Sequence, residues 1–347
     1  MDNTVSVKWM DMFMMESSSV KRSARSESAL RRTAITATDF FLSGLLTICG
    51  PALRRFAISR GQLPRASASA DDAQISIIRH HYYSPAVNPR DLLFALDSPR
   101  SLPGIKLDVE LHRSFLDGLN FGDELRAIPM DQSSPTSYGY RNGFFESGDA
   151  EILYGVIRRD KPRRIIEVGS GRSTLVAALA ISRNRAEDES YSCQHICIEP
   201  FESPWLEQIG VEVIRDRIEQ IDPAFFDQLE NGDIFFVDSS HVLRPQGDVI
   251  FEINEIYPRL KPGVLVQIHD IFTPRDYPHQ WLMNERRIWN EQYVLEAFLS
   301  GNPNYDIVCA LNWLANDHPD MLANACPVLR ETLPNQPGSF WMRRSVT

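Results

Sequence analysis

The chain has 347 residues, 43% of them hydrophobic and 24% charged, with a formal net charge of −10. That apolar share is enough for one large core or two modest ones and excludes disorder along the whole length. Residues 1–70 hold ten basic and five acidic side chains, so the remainder carries −15, which argues against a nucleic-acid partner because phosphate backbones are met by concentrated basic faces.

Residues 1–36 are rich in Ser, Met and basic groups without apolar periodicity, and Ser67–Asp72 has the composition of a linker; both are expected to be mobile. Between them, Phe40–Gly50 is the nearest approach to a membrane segment. Asp39 in front and Pro51 behind confine it to roughly a dozen residues, short of the roughly twenty needed to cross a bilayer. It also lies too far along the chain for a secretory signal. The flanking Arg31, Arg32, Arg54 and Arg55 suit a helix resting on an anionic surface, an expectation of peripheral membrane contact through residues 37–60. The plainer expectation is a small helix packed on the rest of the chain or on another subunit of a homo-oligomer.

Residues 76–147 alternate short apolar stretches with Pro, Gly and Asn and read as a lid or substrate segment. From residue 148 onward the pattern of a doubly wound, mostly parallel α/β sheet sets in. Helices are predicted at Ala150–Arg159, Ser173–Ser182, near Trp205–Gln208, Pro223–Leu229, Asp248–Leu260 and Trp289–Ser300. Strands are predicted at Arg164–Val168, Gln194–Glu199, Val211–Arg215, Asp233–Asp238, Val264–Ile268, Tyr305–Leu311 and Ser339–Arg343, which makes seven. The five cysteines have no CxxC spacing and read as reduced and structural in a cytoplasmic protein.

In such sheets ligands bind beyond the carboxyl ends of the strands. The first strand runs into Glu167-Val168-Gly169-Ser170-Gly171, a tight turn followed by Ser173 as a helix cap. Thr174 stands where a dinucleotide loop needs its third glycine, and no Gly-Lys-Ser/Thr follows, so neither a pyrophosphate site nor a P-loop is specified. A carboxylate at Glu167 suits an ammonium, and Glu199 at the end of the second strand suits a ribose diol. With the Glu-Pro at 199–200, Asp238-Ser239-Ser240-His241 and His269-Asp270, this loop resembles the class I S-adenosylmethionine (SAM)-dependent methyltransferases, near the bacterial small-molecule and sugar O-methyltransferases, over about Tyr82 to Met342. The resemblance implies a Rossmann-like fold, SAM as cofactor and a methyltransferase domain over 148–347; residues 1–75, read from their composition as a basic arm with a short apolar helix, lie outside it. It places Glu167, Gly169, Ser170, Gly171 and Ser173 around the methionine portion and Glu199 on the ribose. Asp216, Arg217 or Ile218 would border the adenine, and Asp238 would close the cofactor side.

Methyl transfer to a hydroxyl needs positioning and removal of a proton, so Asp238, His241, His269 and Asp270, gathered at neighbouring strand ends, are the catalytic candidates. A histidine of ordinary pKa near 6.5 can take that proton. Asp238 and Asp270 can instead hold a divalent cation such as Mg²⁺, although catechol-type relatives present Asp-Asn where this chain has His-Asp. Two aromatic clusters, Tyr138, Tyr140, Asn142 and Phe144, and Phe272, Tyr277, Trp281 and Trp289, are candidates to shape the pocket for a small-molecule or sugar acceptor. The rival readings are a metal-dependent hydroxylase-like relative on the same scaffold, akin to the cephalosporin hydroxylases, and a non-catalytic SAM-binding protein.

Overall fold

The structure, a computed structural model, describes residues 24–78, 81, 83–201, 203–331 and 336–345. The chain divides at Ser84 and Pro85 into two compact units. Within the second, Arg164–Val168 (β1) is a run of β-branched residues around one acid, buried on both faces as a central parallel strand must be. Gln194–Ile198 (β2), Glu212–Ile214 (β3), Ile234–Val237 (β4), Leu265–Ile268 (β5), Tyr305–Ala310 (β6) and Phe340–Arg344 (β7) complete a seven-stranded sheet in the order β3-β2-β1-β4-β5-β7-β6. Strands β1 to β5 are parallel, and β7 runs antiparallel between β5 and β6. This is the expected doubly wound, mostly parallel architecture.

Alternation along each strand divides the core into two apolar layers, one on each face. Ile165, Ile234, Phe236 and Leu265 face the helices Asp149–Asp160 (α1) and Arg172–Glu187 (α2). Ile166, Val168, Phe235, Val237 and Val266 face the opposite layer, which includes Tyr257, Leu295 and Tyr305. The predicted helix at 248–260 is an α-turn over Asp248–Phe251, a π-turn over Glu252–Ile256 and a 3-10 turn over Tyr257–Arg259. Pro258 removes the backbone donor a regular continuation would use there.

Glu151, fully buried in the first turn of α1, accepts from the amides of Gly148, Val328 and Leu329. Burial outweighs these donors and pushes its carboxyl up to about 7. Because the folded value lies above the ordinary one, its contribution to stability is complete below pH 4.5 and is lost as pH rises through about 7, an effect of roughly 3 kcal/mol. Denaturant titrations of the wild type and Glu151→Gln at pH 4.5, 6 and 8 are expected to show that decline in the wild type and a shallower one in the variant. Parallel slopes would contradict it.

The first unit departs from the sequence reading. Residues 1–23 of the expected mobile arm lie outside the described residues, but Ala24–Ser59 is one 36-residue helix with Pro51 inside it. The segment read as a linker is the helix Pro64–Asp72, opened by a proline at its first position and tied back through Ser67 Oγ donating to the Arg60 carbonyl.

Candidate functional site

The parallel ladder continues one residue past the strands and places three loop tips side by side. The Gly169 amide donates to the Ile198 carbonyl at 3.1 Å, Asp238 to Val168 at 2.9 Å and His269 to Val237 at 2.9 Å. Gly169 has φ +76°, and a Cβ there would fall 1.8 Å from the Asp238 carbonyl oxygen, so only glycine permits this approach of β1 to β4.

Beneath the glycine turn, Glu167 differs from expectation. It shares a face with Ile165, so its carboxylate lies under α2 and is only 1% exposed. One oxygen accepts from Ser173 Oγ at 2.5 Å and Thr174 Oγ1 at 3.0 Å. The other meets His195 Nε2 at 2.7 Å and Cys197 Sγ at 3.9 Å. Burial opposes charge on His195, but Cys197 and Glu167 prevail and push it up to about 10. The acid therefore anchors the loop from below, and its oxygens are already engaged. Ser173 likewise gives its hydroxyl to Glu167, and the cap falls to Thr174 Oγ1, which accepts from the Gly171 amide at 2.9 Å.

The other expected cofactor residues are placed as follows in the loops. Ser170 Oγ is buried with no hydrogen-bond partner, and no atom lies within 4 Å of where a Gly171 Cβ would be. Glu199, at the β2 tip, accepts from the Phe201 amide at 2.9 Å. Asp216 and Arg217 are exposed after β3, Arg217 lying 3.5 Å from Glu219, while Ile218 is buried.

The four catalytic candidates converge. Asp238 Oδ1 is 3.2 Å from His241 Nε2 and 3.4 Å from His269 Nδ1, and Asp270 lies 3.7 Å from His241 and 3.6 Å from His269. Side chains of Asp238 and Asp270 are 28% and 16% exposed and both rings are buried, so the carboxylates form the open edge. His241 and Asp270 have φ of +60° and +58°, left-handed conformations that cost non-glycine residues roughly 1–3 kcal/mol and concentrate at functional sites.

Two residues absent from the sequence reading complete the cluster. Glu291 meets His241 Nδ1 at 2.8 Å, and its amide and that of Asn290 donate to the His241 carbonyl. Asp149 lies 3.5 Å from His269 Nε2 while accepting from the amides of Gly338 and Ser339 at 3.0 and 2.7 Å. Only their positions, each opening a helix beside an apolar run, signalled them.

These acids change the chemistry expected of the histidines. Burial opposes charge on His241, but Asp238 and Glu291 prevail and push it up to about 10. His269 is likewise raised against burial by Asp270, Asp238 and Asp149. Asp238 is held well below the usual carboxylate range, His269 and His241 overcoming its burial, whereas burial raises Asp270. The surrounding acids thus favour the protonated form of both rings while burial opposes it. Ligand atoms of Asp238, His241 and Asp270 lie within 4.8 Å of one another, a mixed oxygen and nitrogen set that suits a divalent cation.

Of the aromatic groups, Tyr138 and Tyr140 are core residues whose hydroxyls donate to the carbonyls of Phe145 and Leu125. Asn142 closes a turn by accepting from the Phe144 and Phe145 amides, and Phe144 is exposed. Phe272 and Tyr277 anchor a separate apolar cluster with Trp281 and Trp289 at its margin, and Trp289 packs 4.3 Å from the His241 ring.

Residues 166–271, from β1 through the His-Asp pair, match a family model described as a methyltransferase domain. The chain is 27% identical over 163 residues, 43% of its length and 72% of the relative's, to an uncharacterized protein of Archaeoglobus fulgidus. Among solved structures it is similar to the O-methyltransferase from Bacillus cereus in complex with SAH, at 13% identity and TM-score 0.34, covering 67% of this chain and 91% of that one. It is also similar to the MycE methyltransferase from the mycinamycin biosynthetic pathway in complex with Mg and SAH, at 12% identity and TM-score 0.26, covering 55% and 48%.

Proposed function

We propose that this chain, whose residues 166–271 match a methyltransferase-domain family, is a class I SAM-dependent methyltransferase that transfers the SAM methyl group to a hydroxyl of a small molecule or saccharide. The observation that carries this reading is the abutment of Gly169 on the Asp238 carbonyl, which sets a ligand-facing glycine turn directly beside a cluster of acids and imidazoles. The unpartnered Ser170 hydroxyl and the open space over Gly171 support a ligand lying across the turn at the start of α2, and Glu199 is our candidate for its ribose.

Asp238 and Asp270 present the acceptor side, and His241 and His269 fix them from behind. A divalent cation fits Asp238, His241 and Asp270 and would supply Lewis-acid stabilisation of the acceptor oxygen as its proton leaves. In the reaction the acceptor oxygen gains the methyl, its proton passes to a carboxylate of the open edge, Asp238 or Asp270, and the sulfonium becomes a thioether. Holding acceptor and methyl in line accounts for about 7–11 kcal/mol of barrier in well-oriented systems.

The test is incubation of the purified protein with isotopically labelled SAM and a panel of hydroxylated small molecules and sugars, followed by mass spectrometry. Methylated product is expected, lost on chelation and restored by Mg²⁺. Oxygen uptake with no methylated product would favour the hydroxylase reading, and transfer unaffected by chelation would remove the cation from the account.

A further inference from the structure

The apolar run near the start of the chain belongs to a helix long enough to matter. Ala34–Gln62 is a 29-residue stretch of the length and composition needed to cross a membrane, and none of its most apolar window is buried. At about 1.5 Å per residue it reaches about 43 Å, beyond the roughly 30 Å of a hydrocarbon core. The expectation of a dozen-residue element bounded by Asp39 and Pro51 is thereby corrected, because the helix runs through both.

Phe40 is 84% exposed and Ile48 80%, and Phe41, Leu42, Leu45 and Leu46 are exposed with them. Three consecutive residues of an α-helix point in three directions, so Phe40, Phe41 and Leu42 alone put apolar surface around most of the circumference. Each such side chain left in water forgoes the gain that burial gives it. Thr36, Asp39, Ser43, Thr47 and Arg54 fall three, four or seven residues apart and share one narrow stripe, with Thr38 as a polar residue outside it. On that stripe Thr47 Oγ1 donates to the Ser43 carbonyl at 2.8 Å, which satisfies the hydroxyl within the helix as a lipid environment demands.

Charge marks the ends. Arg31 and Arg32 precede the run and Arg54 and Arg55 follow it, and residues 33–53 between them contain Asp39 as their single charged residue. Those 21 residues span about 32 Å of helix, the thickness of the hydrocarbon layer. Arginines at both ends complement anionic headgroups.

We propose that Ala34–Gln62 is a membrane anchor: the helix inserts into a lipid bilayer, its apolar circumference against acyl chains and its arginine pairs at the two headgroup layers. The inference is independent of the proposed methyl transfer.

The experiment is flotation of the full chain, exchanged from detergent into vesicles of phosphatidylcholine and phosphatidylserine. The protein is expected to float with lipid and to stay there after washes with high salt and alkaline carbonate. The double variant Leu45→Arg/Leu46→Arg is expected to shift partition toward the lipid-free fraction by at least about tenfold. Circular dichroism verifies that this variant keeps its helix, and the intact mass verifies that the floated protein retains residues 34–62.

A wild-type chain left in the lipid-free fraction would overturn the proposal, as would release by salt alone or equal partition of the folded double variant. A lipid-free dimer that buries the helix against a second copy, or a membrane-purified chain cleaved after it, would overturn it equally.

Discussion

Asp238→Asn is expected to lower methyl transfer by about 10²–10⁴-fold, the range associated with losing a positioned proton-handling group. The amide keeps the shape of the side chain and removes the charge lying 3.2 Å from His241 Nε2 and 3.4 Å from His269 Nδ1. The two rings favour the anionic form of Asp238 against its own burial. Steady-state kinetics, with thermal unfolding in parallel, separates a chemical effect from a folding one. A turnover within a few-fold of wild type in the folded variant would remove Asp238 from the chemistry.

The second large effect concerns the loop. Gly169→Ala is expected to destabilise the protein by roughly 2–6 kcal/mol, combining about 1–3 for a left-handed conformation and about 1–3 for a forced contact. The added carbon would sit 1.8 Å from the Asp238 carbonyl oxygen, and relieving that contact means separating the tips of β1 and β4. SAM affinity is therefore expected to fall with stability. Gly210→Ala is the matched control, since its φ is +78° with nothing within 4 Å, and it is expected to show the backbone cost alone. Equal unfolding midpoints for the two variants would show that the contact between the strand tips carries no energy.

Much of the sheet was legible because a doubly covered parallel strand has to be an apolar run between turn residues. Arg164–Val168 was read to the residue, and Gln194–Ile198 and Leu265–Ile268 to within one. The strand tips were legible for the same reason, and Asp238, His241, His269 and Asp270 do meet. The burial of Glu167 was legible in strand parity: it shares a face with Ile165, and that face lies under α2.

Asp149 and Glu291 were invisible for another reason. Glu291 reaches His241 across 50 residues, and Asp149 binds Gly338 across 189. No local pattern encodes such pairings, which arise only when helix starts are docked against the sheet edge. The electrostatic surroundings of the histidines were hidden by the same omission, since Glu291 and Asp149 supply part of the negative charge that faces them. In the first unit, Pro51 was read as a boundary, but a proline removes one hydrogen bond and need not stop a helix whose remaining turns are sound.

Isothermal titration calorimetry with SAM is the most direct test of the cofactor seat at the tips of β1 and β2. One saturable site is expected in the wild type, weakened at least about tenfold by Glu199→Ala through loss of a charged hydrogen-bonding partner, measured at a temperature where thermal unfolding shows the variant folded. Absence of binding by the folded wild-type protein, or identical affinity in Glu199→Ala, would contradict the account.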